Sequence, residues 1–182
     1  MSCETLVRCC APTMAGLKTG SMFSCGFEDP AQMTEELRGL NRRLKRKGLR
    51  ILPLRLRDGR ALLYLYRPGM LERDLRDPLS RELLRECGYE CAGAAPCLSH
   101  LIRRLRRGEG FPHEVGLFLG YPPADVEGFM HRRDSCKACG AWKVYGDVES
   151  AEKQFERLRH CTRVYLNCLA RGYSLERLAV AR

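Results

Sequence analysis

The stretch Phe-Pro-His-Glu-Val-Gly-Leu-Phe-Leu-Gly-Tyr-Pro-Pro-Ala-Asp-Val-Glu-Gly-Phe, Phe111 to Phe129, constrains the fold of this chain more than any other. Val115 to Leu119 is a short apolar run closed by Gly120, a pattern that predicts a buried strand. Pro122 and Pro123 follow. Proline suits the first turn of a helix, where its missing N–H removes no hydrogen bond, so a helix is expected over Ala124 to Arg132. His113 and Glu114 stand just before the expected strand. They are the one adjacent histidine and acid in the sequence, which makes this segment the expected functional centre.

A second local signal is Asp58-Gly59, set between Leu49–Arg57 and Ala61–Arg67. Aspartate followed by glycine matches the two left-handed positions of a tight hairpin turn, so the flanking runs read as paired strands. Pro53 cannot donate to a ladder and predicts that its strand lies at an edge or starts late. Ser21 to Phe27 and Ala141 to Tyr145 read as further strands, and Ala11 to Gly20 as a loop. Asp29-Pro30 opens a helix that carries Leu37, Leu40 and Leu44 on one stripe and stops at Gly48. Pro78 to Cys87, Cys97 to Arg107 and about 149–171 read as helices, and Asp134 to Gly140 as a cysteine-bearing loop. These elements predict an α+β fold: one small mixed sheet of four or five strands with helices packed on it. The expectation is a single domain over 1–182, with the long C-terminal helix packed on it.

The length of 182 residues is enough to bury a core, and 45% apolar with 30% charged content is that of a globular chain. No run approaches the roughly 18 apolar residues that span a bilayer, and no basic segment precedes an apolar one at the N-terminus. Both point to a cytoplasmic protein without a membrane partner. The net charge of +10 is shared between the two halves and forms no basic tail. Arg42 and Arg43 on one expected helix, and Arg103 and Arg104 on another, are the candidate nucleic-acid contacts. With stacking by Tyr64, Tyr66 or Trp142 they would make a basic binding or protein-interaction module with incidental cysteines. Solvated helix faces are the alternative reading of the same arginines.

Eleven cysteines in a chain of this size read as reduced thiols rather than a disulfide framework. Cys136 and Cys139 are spaced so that one tight turn can aim both sulfurs at a soft metal. Cys161, on the helix that follows, is the expected third ligand, and the cofactor would be zinc or an iron–sulfur cluster. Binding such a centre, with a redox role, is the leading functional expectation. A different chemistry is a cysteine nucleophile: Cys10 attacking, His113 as its base and Glu114 orienting the ring, with Thr13 and Lys18 placing a substrate oxygen. Trp142 is expected in the core beside Phe118.

Three blocks carry a family resemblance: Cys10-Ala-Pro-Thr-Met-Ala-Gly-Leu-Lys18, the Phe-Pro-His-Glu-Val-Gly-Leu-Phe-Leu-Gly-Tyr-Pro segment, and Cys139-Gly-Ala-Trp-Lys-Val-Tyr145. In these the chain resembles a domain-of-unknown-function family found mostly in anaerobic Firmicutes. The resemblance implies a cytoplasmic bacterial setting, in which an anaerobe could carry many thiols. It carries over no catalytic residue.

Overall fold

The computed structural model describes residues 1–90, 92–108, 110–132 and 135–181. Asp134, the expected start of the cysteine loop, and Arg133 beside it lie outside the described residues. Two compact units are formed, Met1–Gly69 with His160–Arg182, and Met70–Arg159.

The first unit contains helices α1 (Cys3–Met14) and α2 (Pro30–Leu44) and strands β1 (Gly20–Gly26), β2 (Arg50–Arg57) and β3 (Arg60–Tyr66). The strands form an antiparallel sheet in the order β1-β3-β2. Asp58 and Gly59 both take left-handed backbone (φ 50° and 69°), as the tight hairpin requires. Pro53 lies on an edge strand, next to a register shift between Pro53 and Arg55. Helix α1 extends through Met14, so part of the expected loop is helical. The apolar content of this stretch decides it: Leu6, Val7, Cys10, Ala11 and Met14 fall on one buried face. Ser2 caps its start, accepting from the Thr5 amide at 3.1 Å. At its end the buried Arg67 donates to the carbonyls of Thr13 (2.7 Å), Met14 (2.6 Å), Lys47 (3.1 Å) and Val180 (2.8 Å). A cation placed on carbonyls left open by a helix C-terminus is favoured by the helix dipole. Leu37, Leu40 and Leu44 of α2 enter the same core, as their spacing predicts.

The second unit is mainly helical: α3 (Pro68–Asp74, of which Met70–Asp74 belong here), α4 (Pro78–Glu86), α5 (Ala94–Arg107), α6 (Val115–Phe118) and α7 (Pro123–His131). A two-stranded antiparallel hairpin follows, β4 (Ala138–Cys139) and β5 (Lys143–Val144). Helix α8 (Val148–Ala170) belongs to this unit through Arg159 and to the first from His160; α9 (Leu175–Leu178) lies in the first. The α+β class holds, but the strands divide into a three-stranded sheet and a two-stranded one instead of one sheet of four or five.

Val115 to Leu119 is a helical turn, not a strand. Its amides bond locally, Val115 to the Pro112 carbonyl, Leu117 to Glu114 and Leu119 to Val115. Gly120 at φ 73° then turns the chain, and the Tyr121 amide closes on the Gly116 carbonyl at 3.0 Å. An apolar run this short fits a buried strand or a buried helical turn equally well. The local bonds satisfy its backbone without a partner strand.

Among the described residues nine cysteines are free thiols, and Cys97 is disulfide-bonded, an exception to the expected reduced set. Among the described residues no helix is long and apolar enough to cross a membrane.

Candidate functional site

The Phe111–Phe129 segment and the β4–β5 hairpin enclose a cavity of about 380 Å³ within the second unit. Phe111, Pro112 and His113 form one side as the chain runs into α6. Val115 and Gly116 of α6 and Tyr121, Asp125, Val126 and Phe129 from the start of α7 form the floor. Trp142 and Lys143 close it from the hairpin.

Two devices set this shape. Gly116 lets α6 lie against α7, since a Cβ there would come within 2.8 Å of Val126 and 3.1 Å of Tyr121. Asp125 ties the hairpin to α7. Its side chain, 5% exposed, accepts the Trp142 Nε1–H at 2.8 Å on one oxygen. The other oxygen takes the Tyr145 and Gly146 amides at 2.8 and 2.9 Å. A carboxylate in the first turn of a helix is favoured by the dipole, and three donors replace the water it lost. The indole is thereby fixed against Tyr121, ring centroids 5.0 Å apart, and edge-on against Phe155 at 4.5 Å. Trp142 is buried, as expected, with Tyr121 and Phe155 as its ring neighbours, and Phe118 lies 6.1 Å from Tyr89.

His113 and Glu114 serve different places. His113 lines the cavity and meets Phe129 edge-on, centroids 5.0 Å apart. Glu114 is 1% exposed and accepts the Tyr89 hydroxyl at 2.8 Å, with the Arg104 guanidinium at 3.1 Å. Burial pushes the Tyr89 phenol far above its usual range, and the Glu114 charge adds to it. Arg104 also donates to the Cys87 carbonyl at 2.9 Å. It is thus the half-buried cation paired to a buried carboxylate, whereas Arg103 is exposed. In the other unit Arg42 pairs with Glu35 at 3.1 Å and Arg43 with Glu176.

Cys10 is fully buried in the apolar core of the first unit. Burial drives its thiol pKa sharply upward, against what a nucleophile needs, although its hydrogen bond to Ser21 and the Lys18 charge pull the other way. Thr13 shares a hydroxyl–hydroxyl bond of 2.9 Å with Ser21. Burial lowers the Lys18 ammonium to about 8. His113 belongs to the other unit, so neither unit on its own assembles the Cys-His-Glu set.

Cys136 and Cys139 are exposed, and Cys139 pairs with Lys143 in the hairpin. Cys161 is 7% exposed within the apolar core of the first unit, and burial lifts its thiol to about 11. Among the described residues no three His, Cys, Asp or Glu side chains gather where they could hold a metal ion.

Over residues 6–179 the chain matches the family described as "Protein of unknown function (DUF3793)". The chain belongs to that family. No curated protein and no solved structure matches it significantly. In this DUF3793 chain the sequence misses Asp125 and Tyr89, and it names Arg104 only as a nucleic-acid contact and not as the partner of Glu114. The signal for Asp125 was an acid just inside a proline-started helix, a position the dipole alone explains. Tyr89 and Arg104 had no local signal, because their common partner Glu114 is ten or more residues away from each.

Proposed function

We propose that this protein binds a small, mainly apolar aromatic molecule in the cavity of its second unit. The observation that carries the reading is the wall itself. Phe111, Tyr121, Phe129 and Trp142 surround a space of about 380 Å³, with the polar atoms confined to a few side chains. Ligand pockets have this make-up, an apolar lining with a small number of placed polar groups. At roughly 30 Å³ per water-sized group, the space takes about a dozen such groups, the size of a fused bicyclic ring system. Phe111 leaves 57% of its surface in water at the rim, area that an occupant would cover. Each Å² of apolar surface so removed from water is worth about 25 cal/mol before the cost of association.

Trp142 is the one tryptophan of the chain, so the wall carries its own reporter. Titration with bicyclic aromatics should change its emission saturably and move the indole N–H cross-peak in a ¹⁵N spectrum. An emission and a cross-peak that stay fixed up to millimolar ligand would refute the reading.

The soft-metal reading is supported only by the spacing and exposure of Cys136 and Cys139. It has no third ligand among the described residues. The aromatic cavity is the better supported of the two.

A further inference from the structure

The occupant's charge can be read from the same wall, on the premise that the cavity binds a small aromatic molecule as proposed above. Lys143 is exposed, lines the cavity and holds its ammonium 5.5 Å from the centroid of the Phe129 ring. The ammonium is therefore held over the aromatic wall rather than directed away into solvent.

Among the described residues the only carboxylate on that wall is Asp125, and it is already committed. All its acceptor bonds go to uncharged donors, the Trp142 indole and the Tyr145 and Gly146 amides. Among the described residues Lys143 makes no ion pair. Asp125 has one oxygen turned to the Trp142 indole and the other to the hairpin backbone amides. Among the described residues the cavity thus joins an apolar interior to a lysine whose charge no carboxylate of the wall neutralises. A chain with a net charge of +10 adds a field that concentrates anions at such a mouth.

We infer that the ligand is an aromatic monoanion, a ring system bearing one carboxylate. Its ring would lie among Tyr121, Phe129 and Trp142 and its carboxylate against Lys143. An ammonium–carboxylate pair at a cavity mouth gains from reduced solvent, while an amide of the same shape offers the ammonium only an uncharged carbonyl acceptor.

The test uses the full-length protein, the Trp142 emission as readout, and two probes of equal shape, 2-naphthoate and 2-naphthamide. Wild type should bind the naphthoate at least about tenfold more tightly, with the preference shrinking as salt rises. Lys143→Met keeps the stem and removes the charge. It should abolish the preference by weakening the naphthoate far more than the naphthamide. Equal binding of the two probes by wild type would overturn the inference and leave the aromatic pocket standing. A naphthoate preference that survives in Lys143→Met would also overturn it, because the anion would then be held elsewhere. If neither probe binds, the aromatic pocket itself falls, and the inference with it.

Discussion

Asp125→Asn is the sharpest perturbation of this structure, because it changes one atom and leaves the shape intact. The aspartate accepts three hydrogen bonds and donates none. An asparagine can point its carbonyl oxygen at the Tyr145 and Gly146 amides and keep both. Its NH₂ then faces the Trp142 Nε1–H across what is now a 2.8 Å acceptor contact, two donors opposed. The flipped amide is worse, with two donors meeting two backbone donors. The variant therefore loses one bond to a charged acceptor and leaves a buried indole N–H unpaired. It also weakens the two bonds that remain. Such losses total about 2–4 kcal/mol, reduced by whatever is recovered when a buried charge is removed. Urea unfolding followed by Trp142 emission reads the unit that carries the change, and far-UV circular dichroism reads the whole chain. The double variant Asp125→Asn/Trp142→Phe removes the opposed donor. Its loss should be smaller than the sum of the single losses by about 1 kcal/mol, as expected for directly contacting residues. A single variant within about 0.5 kcal/mol of wild type, with unchanged emission, would refute the claim that this carboxylate holds the hairpin.

Four further expectations follow from separate observations. Gly128→Ala should destabilise by about 1–3 kcal/mol, because a Cβ there lands on the Tyr145 ring. Gly69→Ala, with nothing within 4 Å of the new Cβ, should not destabilise, and parallel denaturant melts compare the two. Arg104→Leu strips the cation from buried Glu114 and should cost about 3–5 kcal/mol; Arg103→Leu should stay within about 0.5 kcal/mol, whereas equal small losses would restore the view of both as surface charges. Pulsed maleimide labelling read by mass spectrometry should modify exposed Cys136 and Cys139 well before buried Cys10 and Cys161, and equal rates for Cys161 and Cys139 would contradict its burial. Hydrogen bonding to Arg43 holds Glu176 down to about 2 from its ordinary 4.5, so the pair stabilises above pH 4.5 and fades as pH falls toward 2. Arg43→Gln should therefore lower stability at neutral pH by no more than about 1 kcal/mol, and the difference from wild type should vanish near pH 2.

What the sequence made legible was whatever a few neighbouring residues decide. Asp58-Gly59 specifies its hairpin because two adjacent residues tolerate the left-handed backbone that the turn needs, and no distant contact is involved. The leucines of α2 are legible for the same reason: their spacing alone places them on one stripe. Val115 to Leu119 failed because its hydrophobicity reports burial, not backbone geometry. The Pro112 and Glu114 carbonyls that settle the geometry carry no signature. Arg104 failed differently. In sequence it is one of four arginines near a helix end, and only Glu114, ten residues on, marks it as a buried partner.

The same limit explains why the sequence points to the cavity-lining segment but not to the partners of its two adjacent polar side chains. His113 and Glu114 were read together because adjacency suggests a base with its orienting acid. Adjacent residues at the entry to a helical turn leave the backbone in different directions, about 100° apart once the turn is helical. Here one side chain lines the cavity and the other enters the Tyr89–Arg104 pair. That division gives Glu114 a positioning role. Anchored in the core, it fixes the backbone one residue after His113 and one before Val115, both of which line the cavity. Asp125 does the same from the opposite wall through Trp142. Each of the two buried carboxylates thus holds one side of the aromatic cavity in place, and neither is spent on the ligand. The charge that meets the ligand is left to Lys143, on the short hairpin that Asp125 secures.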